Sequence, residues 1–302
     1  MTWPRLMKHW IRVDEKMKTY DYPKKLDLKL KLTMIILLLI ASVEYSLALI
    51  HNAIDYNGIT ITFQNWEFFI KKQFPLVFSV TNYSLWKSII LLIVSTTATF
   101  LWSYADLFVM LCSFVLAARF KQITERLDKI DFQVKNELFW RSIREDYVRL
   151  AQLCRHLDDT ISNVLLLSYS SNLSFIIYQL FNSIKKLLPL EKTYFYFSFS
   201  FLIARTIALS LYGASINDES KEPIRILNSV PSSAYNGEIK RFLLHLKMDS
   251  VALTGHKLFK LTRGFILSIA ATIVTYELVL IQFNQATLEE YRNNETKDIC
   301  YS

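Results

Sequence analysis

The chain has 302 residues, of which 52% are hydrophobic, and it carries a net charge of +8 at pH 7. Its apolar residues are gathered into five blocks, each long enough to cross a bilayer as a helix, which argues against an ordinary soluble domain. The positive charge lies between these blocks rather than on one compact face, so no nucleic-acid partner is expected. The blocks predict an all-α integral membrane protein with helices over residues 32–51, 88–117, 161–182, 193–215 and 264–284.

The basic residues indicate how these helices are oriented in the membrane. Segments 1–31, 118–160 and 216–263 contain 26 of the 35 Lys and Arg residues, whereas the segments that alternate with them contain few. Because basic loops stay in the cytosol, the N-terminus is expected inside and the C-terminus outside. Two glycosylation sequons, at Asn82 and Asn294, both fall on the predicted outer side.

The first half of the chain begins with a basic cytosolic segment, residues 1–31. Residues 32–117 are predicted to form two transmembrane helices joined by an aromatic-rich outer loop, residues 52–85. Residues 118–160 contain almost no Gly or Pro and are assigned to a cytosolic anchor helix. Within it, one apolar stripe recurs at helical spacing and predicts a buried face: Phe139, Ile143, Tyr147, Leu150, Cys154, Leu157 and Ile161.

The second half of the chain repeats this alternation. Residues 161–215 are predicted to form two more transmembrane helices, and residues 216–263 return to the cytosol. There a helix of about 25 residues, 238–262, is predicted to be a second anchor element leading into the last span. Residues 264–284 form that span, and residues 285–302 are expected to be an extracellular tail.

Two opposite charges lie inside the predicted spans. A charged side chain at mid-membrane costs about 2.5 kcal/mol or more on insertion scales, so it needs a partner. Asp106 lies near the inner boundary of its helix, and the long side chain of Arg205 can reach inward. We therefore expect an Asp106–Arg205 ion pair that joins two helices.

Other polar residues within the spans are candidates for ligand contact. Glu44 and Tyr45 lie in the outer half of the first span, where an acid can accept hydrogen bonds from the hydroxyls of a polyhydroxylated ligand and a ring can cover its apolar face. Asn172 and Gln179 share one stripe with Ser168 in the third span. Each of these four candidates could instead form a structural hydrogen bond between helices. For Ser168, we expect that structural role.

The sequence contains no pattern typical of an enzyme. The five His residues lack the spacing of metal-ligand pairs, and there is no Gly-rich phosphate loop in a chain with only five Gly. We expect no catalytic residues, no cofactor and no metal.

Three segments together resemble the sugar-receptor branch of insect gustatory receptors. They are Trp140-Arg141-x-x-Arg144-Glu145-Asp146-Tyr147-Val148-Arg149-Leu150, then Asn217-Asp218-Glu219-Ser220, and the final motif Thr275-Tyr276 followed by Gln282-Phe283. The resemblance extends from the basic segment before the first span to Phe283. It implies a sweet-taste receptor in the plasma membrane of taste neurons.

The resemblance also implies a mechanism. Members of the family are similar to seven-helix, tetrameric, ligand-gated, nonselective cation channels whose last helix lines the pore. By the final motif, Tyr276, Gln282 and Phe283 would belong to the pore or gate. The ligand would be a mono- or disaccharide, with sucrose, trehalose, maltose and glucose all compatible, and the partners would be gustatory receptor subunits in a homo- or hetero-tetramer.

The sequence departs from this family in one respect. It has five predicted spans instead of seven, and the C-terminal alignment implies that the first two are the ones lacking. A truncated, non-sensing subunit that needs a full-length partner is therefore the main alternative. A G-protein-coupled receptor would need an external N-terminus, and a transporter would usually show inverted repeats.

Overall fold

The computed structural model describes residues 3–21, 25–53, 66–130, 136–183 and 189–300, with side chains described throughout except at 51–53, 189–191, 284 and 286–300. Within these ranges the chain is almost entirely helical. The elements are α1 (Trp3–Met17), α2 (Leu26–Ala53), α3 (Trp66–Gln73), α4 (Pro75–Val80), α5 (Leu85–Asp128), α6 (Glu137–Ser183), α7 (Pro189–Lys221), α8 (Pro223–Asn228), α9 (Gly237–Met248), β1 (Thr254–Gly255), β2 (Phe259–Lys260) and α10 (Arg263–Cys300).

Five helices are long and apolar enough to cross a membrane, which confirms the predicted fold class. Each of the five predicted blocks falls within one of these helices. The apolar stretches of α5 and α6 continue into polar helical turns, because no Gly or Pro interrupts them, and α7 continues past Gly213 to Lys221. The membrane helices are α2, α5, α6, α7 and α10.

The predicted anchor segment 118–160 is not one helix. It consists of the end of α5 and the beginning of α6, which are separated after Asp128. The Asn136 side chain accepts a hydrogen bond from the Phe139 backbone amide at 3.2 Å, so Asn136 caps the start of α6. The apolar stripe that was predicted within α6 is buried from Ile143 to Ile161.

The predicted helix over residues 238–262 is also wrong. Helix α9 ends at Met248, and a short antiparallel hairpin follows in which Thr254 pairs with Lys260. The Asp158 carboxylate of α6 accepts from the Thr254 amide at 2.5 Å and from its hydroxyl at 2.8 Å, so a tertiary contact overrides local helix preference. The turn residues His256 and Lys257 both have a positive φ, which a helix does not allow.

The described residues divide into two compact units. The first comprises Met1–Met34, Asp106–Asn172 and Arg205–Thr272 and contains α1, α8, α9 and the hairpin. Its core contains large buried side chains, among them Trp140, Tyr147 and Phe242. The rings of Tyr147 and Phe242 lie 5.3 Å apart, so α6 packs directly against α9.

The second unit comprises Ile35–Ala105, Leu173–Ala204 and Ile273–Ser302. Its apolar core is formed by Ile176, Leu180 and Leu202, against which Ile273 and Leu280 of α10 pack. Part of the predicted outer loop 52–85 is helical, as α3 and α4. The predicted C-terminal tail continues the helix α10 as far as Cys300.

Candidate functional site

A closed polar cluster in the first unit joins three membrane helices. The Arg205 Nε of α7 lies 3.0 Å from the Asp106 Oδ2 of α5, and both side chains are almost fully buried. Asn172 of α6 completes the cluster, because its amide nitrogen donates to Asp106 at 3.1 Å and its amide oxygen accepts from Arg205 at 3.0 Å. Ser168 also donates to Asp106. The structure therefore brings together the two charges that the sequence suggested as a pair.

The cluster is electrically neutral and its hydrogen bonds are shared between the helices. One carboxylate faces one guanidinium, Ser168 donates to the Asp106 Oδ1, and Asn172 donates to the Oδ2 that also faces Arg205. A buried ion pair tolerates loss of water only when its geometry is good and its other polar atoms are satisfied. The arrangement is that of a structural cluster that holds α5, α6 and α7 together.

Asn172 does not lie where the sequence reasoning placed it. It was a candidate ligand contact, but it is fully buried between Asp106 and Arg205. Its amide nitrogen and oxygen are bonded to charged neighbours and the side chain has no exposed surface, so it offers no accessible group to a sugar. Ser168 occupies the interhelical position that was favoured for it.

A second polar cluster, in the second unit, contains Glu44. The Ser198 hydroxyl of α7 donates to the Glu44 Oε1 of α2 at 2.9 Å, and the Gln179 Nε2 of α6 donates to the same hydroxyl at 3.2 Å. Tyr194, one helical turn before Ser198, interacts with Ser198 and with the charge of Glu44. Glu44 and Gln179 thus belong to one cluster, whereas Asn172 belongs to another.

One atom of the Glu44 cluster is left unsatisfied. The Gln179 Oε1 is buried and accepts no hydrogen bond. A buried amide oxygen without a donor costs about 1–3 kcal/mol, and such a group often marks the place of a ligand or an ordered water. Beside it lies a carboxylate, which also accepts hydrogen bonds. The cluster is therefore suited to a neutral ligand with several hydroxyl donors.

Tyr45 is adjacent to Glu44 in sequence but faces another helix. Its hydroxyl is hydrogen-bonded to the Thr96 hydroxyl of α5, and its ring lies 5.7 Å from that of Phe100. Consecutive residues on a helix do not share a face, so Tyr45 and Glu44 diverge. Tyr45 therefore joins α2 to α5 and does not belong to the Glu44 cluster.

The predicted pore residues lie on an exposed helix. Tyr276 and Phe283 are seven residues apart on one face of α10, and 47% and 70% of their surfaces are exposed. Gln282 and Glu277 are exposed as well. An exposed acid within an apolar membrane helix needs water or another protein surface beside it. Within residues 263–283, a single chain leaves most of α10 uncovered.

The glycosylation candidates differ in how far the structure describes them. Asn82 is exposed in the short segment between α4 and α5, where a glycan would meet no steric obstacle. Asn294 lies in the part of α10 whose side chains are outside the described residues. Across the described residues, no group of three or more His, Cys, Asp and Glu side chains is arranged to hold a metal ion.

The sequence reasoning missed Ser198, which connects Glu44 to Gln179. A signal was present in the helix periodicity. Ser198 lies seven residues before Arg205 on α7, and Gln179 lies seven residues after Asn172 on α6, so each helix has two polar positions on one face. Gln179 pairs with Ser198 and Asn172 pairs with Arg205, which is the register of two antiparallel helices.

The two internal segments that resembled a known family have structural roles in the first unit. The Tyr147 hydroxyl donates to the Ser220 carbonyl at 3.2 Å, which connects one segment to the other. The Tyr20 hydroxyl donates to Asp146 at 2.9 Å, and Arg263 donates to Asp218 at 2.6 Å. These contacts fasten α6, α7 and α10 to one another and hold the segment that follows α1 against α6.

The chain is similar in sequence to a family of known receptors. A sequence profile of the trehalose receptor family matches residues 1–292. The chain is 37% identical to the Drosophila melanogaster gustatory receptor for sugar taste 64f, over 94% of this chain and 61% of that receptor. It is 35% identical to the Drosophila melanogaster gustatory receptor 5a for trehalose, over 94% of this chain and 64% of that receptor.

Similarity in fold extends to solved structures. The olfactory receptor OR5 of Machilis hrabei matches with a TM-score of 0.55 at 13% identity, covering 86% of this chain and 70% of that receptor. The chain spans about 61–64% of the length of the first curated relatives. These relatives are receptors, which confirms the prediction of a non-enzymatic, multi-pass membrane protein. The chain belongs to the trehalose receptor family and to the sugar branch of insect gustatory receptors.

Proposed function

We propose that the chain is a subunit of a sugar-gated, nonselective cation channel in the plasma membrane of taste neurons. The observation that carries this proposal is the similarity to two receptors named for sugar taste and for trehalose, over 94% of the chain. The Glu44 cluster supports a sugar ligand. The uncovered surface of α10 supports assembly with other subunits, homomeric or heteromeric, into a tetramer.

Glu44, Ser198 and Gln179 are the proposed contacts for the sugar. Ser198 donates its one proton to Glu44, so the cluster offers mainly acceptors: the carboxylate and the unsatisfied Gln179 oxygen. Sugar hydroxyls are donors and match this set. A ligand that brings donors to a buried unsatisfied acceptor removes its desolvation cost, which favours the bound state.

Helix α10 is the proposed pore helix, with Tyr276, Gln282 and Phe283 at or near the gate. Glu277 supports this role, because an acidic side chain exposed on a membrane helix is stable beside water or beside another subunit and not beside lipid. The segments of the first unit that fasten α6, α7, α9 and α10 are the proposed cytosolic anchor.

The test is calcium imaging of cells that express the chain, under a panel of mono- and disaccharides. A sugar-evoked calcium signal from the chain alone supports a self-sufficient receptor subunit. A signal only when a full-length sugar receptor is co-expressed supports the alternative, a subunit that needs such a partner. Absence of any sugar response in both conditions, with surface expression verified, contradicts the proposal.

The proposed orientation has a cytosolic N-terminus and an extracellular C-terminus, and glycosylation at Asn82 tests it. A glycosidase-sensitive mass shift that disappears in Asn82→Gln supports an external α4–α5 connection. A third sequon, Asn172-Leu173-Ser174, is an internal control, because Asn172 is fully buried and should stay unmodified. Modification of an N-terminal tag, with Asn82 left bare, would contradict this orientation.

A further inference from the structure

A basic cavity of about 340 Å³ lies in the first unit, between α1 and α6. Helix α1 contributes Arg5, Lys8, His9 and Arg12, and α6 contributes Gln152 and His156. None of these residues belongs to the polar clusters described above. The volume is at the lower end of the range for small-ligand sites.

The cavity has a fixed wall because α1 is docked along one face. Leu6, Val13 and Met17 of that face are buried, and Asp14 forms an ion pair with Arg119 of α5. The basic side chains follow the adjoining face at positions 5, 8 and 12, which are spaced by about one helical turn. A docked helix holds its charges together without the entropic cost of ordering a loop.

The positive charges of the cavity are not neutralised within the described part of the chain. No carboxylate lines the cavity, and no ion pair joins Arg5, Lys8 or Arg12 to an acid among the described residues. Other basic residues of this unit are paired: Arg119 with Asp14, and Arg144 with Glu238 at 2.8 Å. Three like charges left together around a concave space favour an anion there.

The two His residues add hydrogen-bonding capacity to this charge. The rings of His9 and His156 lie 5.3 Å apart, and the His9 Nδ1 is buried without a hydrogen-bond partner. The Gln152 amide also lines the cavity. Imidazole and amide donors beside guanidinium groups form the donor set that binds the oxygens of a phosphate group.

We propose that this cavity binds a phosphate-bearing anion. Arg5 and Arg12 would bind phosphate oxygens in a bidentate manner, and Lys8 would add a point charge. Two sources share this chemistry: the phosphorylated inositol headgroup of a lipid, and a free polyphosphate. Trp3 packs against Phe108, 5.5 Å between ring centroids, close to the proposed inner end of the α5 span. A lipid headgroup is therefore within reach of Arg5, on the proposed topology.

The test uses the full chain in lipid nanodiscs and needs no sugar response. Binding of inositol hexakisphosphate is measured by microscale thermophoresis, and thermal unfolding is compared between nanodiscs with and without phosphatidylinositol 4,5-bisphosphate. The Arg5→Gln/Arg12→Gln double variant should weaken binding by about tenfold or more, because both bidentate donors are lost.

A matched control removes the same charge from the same segment. Lys16→Gln/Lys18→Gln deletes two cations that do not line the cavity, and it should leave the affinity within about twofold. His9→Gln keeps a neutral side chain of similar size and should weaken binding without unfolding α1. Circular dichroism and the elution volume of each variant establish that it is folded.

The two sources give different results. Saturable binding of inositol hexakisphosphate without a lipid effect indicates a soluble ligand. A rise in unfolding temperature in phosphoinositide nanodiscs that is lost in Arg5→Gln/Arg12→Gln indicates a lipid headgroup. The proposal is overturned if the wild-type chain binds neither probe, or if the control variant loses as much affinity as the cavity variant.

Discussion

The Arg205 guanidinium lies 3.0 Å from the Asp106 carboxylate, and Asn172 bridges the two through both ends of its amide. Three membrane helices contribute one residue each. Because the interior is apolar, removing either charge leaves the other without compensation. The cost of such an orphaned charge exceeds the net contribution of the intact pair.

Single substitutions in this pair should therefore destabilise the protein more than the double substitution does. We expect Asp106→Asn and Arg205→Gln each to lower the free energy of unfolding by about 3–5 kcal/mol, because each leaves one buried charge unpaired. The Asp106→Asn/Arg205→Gln chain should recover part of that loss. Thermal unfolding in detergent measures all three variants.

Gln179→Leu is a control within the membrane, since Gln179 is not bonded to this pair. It removes an unsatisfied buried oxygen together with the hydrogen bond to Ser198, and because these two changes have opposite effects on stability, the net change should be small. Additive losses in the double variant would show that Asp106 and Arg205 do not depend on each other, against the expectation.

Glu44→Gln tests the proposed ligand site. Gln retains an acceptor for Ser198 but removes the negative charge that accepts hydrogen bonds most strongly. The sugar concentration that gives a half-maximal response should therefore rise about tenfold. Unfolding temperature should change little. Dose–response calcium imaging, with a full-length partner if the chain needs one, gives the measurement.

Tyr45→Phe is the matched control for this variant. It removes the hydroxyl bonded to Thr96, on the neighbouring position of the same helix, and should leave sugar sensitivity within about twofold. Equal losses in both variants would assign Glu44 a structural role, the alternative that the sequence left open.

Much of this architecture could be predicted from sequence, because membrane helices follow from apolar length. The Asp106–Arg205 contact could be expected from the cost of each charge in lipid. The hairpin after α9 could not, because it depends on Asp158, almost 100 residues earlier, accepting from Thr254. Asn172 and Gln179 are both amides on the same stripe of α6, so the sequence could not assign them different roles. Their roles differ because Asn172 contacts Arg205 of α7, whereas Gln179 contacts Ser198 of α7.

Gly213 of α7 provides a test of packing. A Cβ added there would lie 2.3 Å from the Leu261 Cδ1, and Leu261 is fully buried before the start of α10. We expect Gly213→Ala to cost about 1–3 kcal/mol through overpacking, in spite of the higher helix propensity of Ala. Thermal unfolding measures the loss.

The control for that prediction is Gly237→Ala, at the start of α9. A Cβ there has no atom within 4 Å, so this variant should be neutral or slightly stabilising. Leu261→Ala added to Gly213→Ala should relieve the clash. A Gly213→Ala chain as stable as Gly237→Ala would show that Leu261 moves aside at no cost.

Gln282→Ala addresses the proposed pore helix. Because Gln282 is exposed on α10 and belongs to neither polar cluster, the variant should change ion permeation or gating more than sugar preference. Whole-cell recording of reversal potentials under different cations measures this, and the sugar panel supplies the comparison. An unchanged current with an altered order of sugar preference would contradict the pore assignment.

We expect His9 to make the stability of the folded chain depend on pH. Burial, then the neighbouring His156 and Arg12, lower the pKa of His9 below its usual 6.5, and the other cavity-lining cations, Arg5 and Lys8, have the same sign of charge. As pH falls, His9 is therefore protonated in the unfolded chain at a higher pH than in the folded chain. The contribution of the neutral His9 ring to the free energy of unfolding is complete above about pH 6.5 and is lost as pH falls from there toward the folded pKa.

The unfolding temperature is measured as a function of pH in buffer without phosphate. As pH falls, it should decline more steeply for the wild-type chain than for His9→Gln. The exposed His245→Gln serves as the comparison and should retain the wild-type slope. Equal slopes in the wild-type and His9→Gln chains would show that His9 titrates alike in both states.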